Sequence, residues 1–200
     1  MKMENKTLKY YLERLFTAVL CMLIATPSYA EQTEQEEHAW ATKGIEGFEV
    51  YCYRSFGNYK QIDSMAKVTK LNSLPTEFVT AVMGPGSTDG KGYLLASDRP
   101  KGFAVILGLS RPDACSINVQ GVPYKIAKEQ IHSTYQLALS VKDDIGLQVS
   151  EVYVPGGKSG NKLEAADFGV IFITYPKDET GVKGYTIGYM PPNTVSKIYR

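Results

Sequence analysis

The sequence holds three cysteines and two histidines, the residue types that most readily bind soft metals or pair as thiol and base: Cys21, Cys52, Cys115, His38 and His132. A structural metal site needs His, Cys or carboxylate ligands at set spacings, and no such cluster occurs. A thiol nucleophile needs a base within hydrogen-bond reach. His132 is the base available to Cys52 or Cys115, yet it falls on the polar side of its helix while Cys115 alternates inward. The stretch Pro155 to Asn161 (PGGKSGN) looks like a phosphate loop, but Val152 stands where that loop requires a glycine. It reads instead as a flexible hairpin turn. Asp143-Asp144 ahead of Ile145-Gly146 reads as a helix exit or turn, without the alternating oxygen ligands of a calcium loop. No Gly-x-Ser-x-Gly elbow is present. Glu151, Glu164 and Asp167 remain as carboxylates without a local signature. The sequence assigns no catalytic residue, no cofactor-binding residue, no metal ligand and no cofactor.

Tyrosine is the one unusual count, 14 in 200 residues. Its flat apolar body and polar tip suit exposed binding faces. Tyr185 and Tyr189, with Ile187 between them, share one side of the last strand and form a candidate binding face. The alternative is ordinary sheet usage, because strands favour aromatic residues.

The first 30 residues have the order of a secretory signal. Lys2, Lys6, Lys9 and Arg14 precede an uncharged run from Leu15 to Thr26, then Pro27 and the small-residue site Ser28-Tyr29-Ala30. The run of about 12 residues is shorter than the roughly 20 that a membrane span needs. Cleavage is expected after Ala30. Lipidation at Cys21 is the competing outcome, disfavoured by Leu20 before it.

Four of the 22 basic and two of the 21 acidic residues lie in that signal, so the remaining 170 residues carry 18 against 19. This balance argues against a nucleic-acid partner, which would call for a basic surface. No stable membrane span is expected after cleavage. Residues 31–43, with the acidic run Glu31 to Glu37, are expected to be a flexible leader, and residues 44–200 a single globular domain. Cys52 and Cys115 are read first as a disulfide, closing a loop of about 60 residues worth about 4 kcal/mol. Two buried free thiols are the alternative.

The elements that position these residues follow from periodicity. Phe48, Tyr51 and Cys52 sit at i, i+3 and i+4, which predicts a helix over Ile45 to Tyr53. Further helices are predicted over Tyr59 to Leu71 and Pro75 to Met83. Strands follow at Tyr93 to Ser97, Phe103 to Leu109 and Cys115 to Gln120; the last alternates as a half-buried strand. Pro123 opens a long helix to about Leu139, with Tyr124, Ala127, Ile131, Tyr135 and Ala138 as its buried stripe. Three strands follow, at Leu147 to Val154, Phe168 to Tyr175 and Val182 to Met190. The fold class is α+β: a mostly antiparallel sheet of about six strands, in two blocks around a long helix, with two or three N-terminal helices.

Phe48 and Cys52 on an early helix, then Gly102-Phe103 and Ala114-Cys115-Ser116-Ile117 in strands, resemble small exported proteobacterial proteins of uncharacterised families. These pair one helix cysteine with one strand cysteine. The resemblance covers about residues 45 to 135; it favours the Cys52–Cys115 pairing and implies no activity. Three function classes stay open. The first is an exported, non-catalytic binding or accessory protein of the bacterial envelope, with a protein or envelope component as partner. The second is an envelope-polymer hydrolase with an unsignatured carboxylate site, marked by two facing carboxylates or by one carboxylate with His132. The third is a secreted factor acting on a host or neighbouring cell, found in the medium rather than the periplasm.

Overall fold

A computed structural model describes residues 33–83, 89–98, 102–110 and 113–198. The expected signal and its cleavage site lie outside the described residues. The acidic leader does not behave as expected. Helix α1 (Glu34–Gly47) begins within it, capped by Thr33, whose side chain accepts the Glu36 N–H while the Glu36 carboxylate takes the Thr33 N–H. This reciprocal capping, with Glu34, Glu36 and Glu37 in the first turn, stabilises the helix start. Acidic composition here marks a helix N-terminus, and Trp40, Ala41 and Ile45 bury the inner face.

Helix α1 runs into a π-helical segment, Phe48–Tyr53, which is the helix expected around Cys52. Its wider turn, with the Arg54 N–H reaching the Glu49 carbonyl at 3.0 Å, leaves Phe48, Tyr51 and Cys52 buried. Helix α2 (Tyr59–Val68), capped by Asn58, buries Ile62 and Ala66, and leads to a two-residue strand β1 (Asn72–Ser73). Then follow α3 (Thr76–Met83), β2 (Lys91–Asp98), β3 (Gly102–Ser110), β4 (Asp113–Gln120) and α4 (Tyr124–Tyr135). The second half holds β5 (Leu137–Ile145), β6 (Gln148–Pro155), α5 (Lys162–Phe168), β7 (Val170–Pro176), β8 (Gly184–Met190) and α6 (Pro192–Ile198).

The α+β class holds, but the sheet has eight antiparallel strands rather than about six, in the order β1-β2-β3-β4-β8-β7-β6-β5. Each expected three-strand block gains one strand on its outer edge, giving two four-strand meanders that meet where β4 pairs β8. The missed edge strand β5 begins within the last residues of the helix expected to about Leu139 and runs through the expected turn at Asp143-Asp144. Gln136 adopts the left-handed conformation (φ 47°), stopping α4 at Tyr135 without a glycine or proline to announce it.

One face of the sheet carries Cys115, Ile117, Val119, Ile173, Tyr185, Ile187 and Tyr189. It packs against Trp40, Phe48, Cys52, Ile62, Tyr124 and Ile131 of the helical layer. The opposite face holds two smaller clusters. Val79 of α3 lies on Val105 and Leu107, while Ala165 of α5 and Val195 of α6 lie on Val152, Phe172 and Met190. Strand β4 was expected to be half buried; instead every residue from Ala114 to Gln120 is buried, because this second face is covered too. Gly188 is needed at the centre: a side chain there would fall on the Phe172 ring.

Candidate functional site

Strand alternation places Val149, Glu151 and Tyr153 of β6 on the helix-covered face, and Glu151 is 3% exposed. A buried carboxylate is stable only if its oxygens are paired. The Tyr153 hydroxyl donates to Oε2 at 2.7 Å and the Tyr175 hydroxyl to Oε1 at 3.1 Å. Lys142 of β5 completes the set, with Nζ 3.0 Å from Oε1. Burial alone would raise the Glu151 carboxyl, but the Tyr153 and Lys142 hydrogen bonds outweigh it and hold it below the usual range.

His132 of α4 belongs to the same cluster. Its Nε2 lies 3.2 Å from the Tyr124 hydroxyl, and its ring meets the Tyr153 ring edge-on at 4.9 Å between centroids. Tyr124 in turn stacks on Tyr175 at 4.3 Å. Burial is the main force pushing the His132 imidazolium to deprotonate, and Lys128 adds to it; Glu151 acts weakly in the opposite sense. The site thus joins one carboxylate, one half-buried imidazole, one lysine and three tyrosines. Burial keeps the Tyr124, Tyr153 and Tyr175 hydroxyls protonated.

Chemically, Glu151 is poorly placed as a general acid or base. Its carboxyl stays ionised, and its two oxygens already receive three donors. The same pairing of a carboxylate with tyrosine occurs twice more. Glu49 accepts from Tyr135 at 2.8 Å and from Arg54 at 2.9 Å. Asp63 accepts from Tyr93, from Lys67 at 2.7 Å and from Lys91 at 2.8 Å, tying α2 to β2. Part of the tyrosine surplus is therefore a set of core posts whose hydroxyls end on carboxylates.

The candidate binding face is corrected on this point. Tyr185, Ile187 and Tyr189 do share one side of β8, but they are 1%, 0% and 3% exposed beneath α1 and the π segment. The Tyr185 hydroxyl donates to the Ala41 carbonyl and the Tyr189 hydroxyl to the Phe168 carbonyl. Cys52 and Cys115 form a disulfide, with Cα atoms 5.1 Å apart, and neither thiol is free to act as a nucleophile. Asp143 and Asp144 lie in β5 rather than in a turn, and Asp144 pairs with Lys177. Asp167 is exposed on α5.

The Pro155 to Asn161 stretch is a turn that holds an anion of its own. The N–H groups of Lys158, Ser159 and Gly160 converge on the Glu164 carboxylate at 3.2, 3.0 and 2.9 Å. These backbone donors, that of Ser159 foremost, hold the Glu164 carboxyl below its ordinary range. The phosphate-loop likeness thus has a physical basis in converging N–H groups, and the chain fills them itself.

On the second face, Asn118, Thr186, Thr174 and Ser150 form one cross-strand row over β4, β8, β7 and β6. Asn118 donates to Thr186 at 2.8 Å and Gln120 donates to Asn118 at 2.9 Å. Gln120 Oε1, Gln148 Nε2 and Ser150 Oγ are buried without a protein partner. Sequence reasoning placed Ser116, Asn118 and Gln120 on a wetter side and missed this row. The Glu151 cluster had a usable signal, because Glu151 sits at an inward position of an otherwise apolar alternation.

Among the described residues, no group of three or more His, Cys, Asp or Glu side chains could hold a metal ion. No described helix is long and apolar enough to cross a membrane. No protein-family model matches the chain, and neither a curated protein nor a solved structure matches it.

Proposed function

We propose that this chain is an exported, non-catalytic binding or accessory protein of the bacterial envelope. The observation that carries this reading is the occupation of its chemistry-bearing side chains. Glu151, Glu49, Asp63 and Glu164 each end on donors from neighbouring elements, and both described cysteines are joined. A disulfide inside the core supports export, because such bonds persist in oxidising compartments. The signal-like order of residues 1–30 supports it independently. The partner is a protein or envelope component, and the balanced charge speaks against nucleic acid.

The test is intact-mass analysis of the exported protein, alkylated before and after reduction. A chain starting at Glu31 with Cys52 and Cys115 protected until reduction is the expected result. A chain retaining residues 1–30, or alkylation of either cysteine without reduction, would remove the basis for export. A start at lipid-modified Cys21 would make it a tethered protein instead.

A second reading, an envelope-polymer hydrolase, draws on the meeting of Glu151 and His132 in one cluster. Its test is release of soluble fragments from purified envelope polymers. Release that disappears in E151Q, with the fold intact, would replace the binding reading by the hydrolase.

A further inference from the structure

We propose that His132 is an acid-sensitive latch that holds α4 against β6. From its own helix, His132 faces Tyr124 and Lys128; from β6 it faces Tyr153 and Glu151. Lys142 of β5 reaches it through Glu151, and Tyr175 of β7 through both Glu151 and the ring of Tyr124. The imidazole is partly exposed, so a proton from solvent can reach it.

Protonation changes this contact in two ways. A neutral ring can accept the Tyr124 hydroxyl proton at Nε2, whereas an imidazolium can only donate there. The charge would also be placed at a half-buried position, one helical turn from Lys128, and both disfavour it. Glu151 is the counter-charge within the cluster, but its two oxygens already hold Lys142, Tyr153 and Tyr175. The neutral latch is therefore the closed one, and acid loosens α4 where His132 and Tyr124 cover Tyr153 and Tyr175. Since α4 is the crossover between the two meanders, its loosening bares the tyrosine-lined margin of the sheet. Physiological use of such a latch rests on export, where the medium sets the pH; the measurement below does not.

The experiment is a proton NMR titration of the folded chain and of the urea-unfolded chain. There are two histidines, and H38Q assigns the signals. Hydrogen exchange of the α4 amides at pH 7 and pH 5, corrected for intrinsic rates, supplies the second readout. His132 should titrate below its value in the unfolded chain, because burial and Lys128 both disfavour its charged form. Protection of Ala127 to Tyr135 should fall on acidification in the native sequence and stay flat in H132Q. Should H132Q fail to fold, Y124F removes the hydroxyl alone, and the His132 midpoint should then rise. A folded midpoint equal to or above the unfolded one overturns the proposal, as does acid loss of α4 protection that persists in H132Q. An unchanged midpoint in Y124F would also remove the bolt from the latch.

Discussion

Replacing both cysteines, C52A together with C115A, tests the reasoning about the core. The bridge spans a sequence separation of 63 residues between the π segment and β4. In the chain-entropy account, a loop of that length contributes about 4 kcal/mol by restricting the unfolded chain. Both half-cystines are essentially inaccessible, at 0% and 1% exposure, so the alanines leave a small cavity that adds to the loss rather than offsetting it. For a domain of this size each kcal/mol shifts Tm by about 2–4 °C, giving a fall of about 10 °C or more. With a urea m-value of about 2 kcal/mol per molar, the midpoint should move by about 2 M. The assay is urea unfolding followed by tyrosine fluorescence and far-UV circular dichroism together. The double variant avoids the free thiol that a single substitution would leave. A loss below about 1 kcal/mol, with an unchanged m-value, would refute the argument: the N-terminal layer would then dock on β4 without help from the bridge.

Three further outcomes follow from other contacts. Y153F removes one of the donors on buried Glu151 and should cost about 2 kcal/mol in urea unfolding, since hydrogen bonds to charged groups are the stronger kind. G188A drives a methyl group into the Phe172 ring and should cost about 1–3 kcal/mol; F172L in the same chain should restore part of it. Stability should fall steadily in acid. His132, held below its ordinary value, weakens the fold as pH drops below about 6.5, where the unfolded chain begins to take the proton; Asp63 and Glu151, held below the carboxylate range, contribute stability that is present above about pH 4 and lost as pH falls through their folded values. Urea midpoints from pH 8 to pH 3 check this, and a maximum near pH 5 would contradict it.

Some of this was readable from residues alone. The helical turns around Cys52, helices α2 and α3, six of the strands and the inward side of Cys115 all follow from spacing, because a period of 3.6 or 2 survives where one face is buried. The failures share a physical cause: a second layer of burial that local pattern does not encode. The polar residues of CSINVQ looked wet by alternation, yet they lie in a covered row on the far face. Tyr185 and Tyr189 look like a contact surface by residue type, but α1, most of which falls in the expected flexible leader of residues 31–43, lies over them with the π segment. The end of α4 at Gln136 rests on a left-handed residue that carries no composition cue. The Glu151 site was half legible: its carboxylate and His132 were both noted, but Tyr153, Tyr175 and Lys142 come from strands whose register only the fold supplies.

The arrangement of the sheet makes the β4–β8 seam its most demanding contact. Within each meander strands adjacent in sequence pair with each other, but pairing Ile117 with Ile187 brings together residues far apart in sequence. Loop-closure entropy must be met before that pairing gains anything, so the seam is expected to form late. The contacts that hold it come from the π segment. Cys52 is bonded to Cys115 on β4, and the ring of Tyr53 meets that of Tyr189 on β8 at 5.2 Å. Cys115 and Tyr189 are themselves opposite each other across the seam. Two consecutive residues of one π turn therefore grip the two strands that join the halves. The wider π turn sets the angle at which Cys52 and Tyr53 leave the segment together. Deleting one residue between Phe48 and Cys52 should restore α-helical spacing, change the angle between the Cys52 and Tyr53 side chains and lower the urea midpoint. If such a variant still formed the bridge and kept its urea midpoint, the π geometry would have no part in holding the seam.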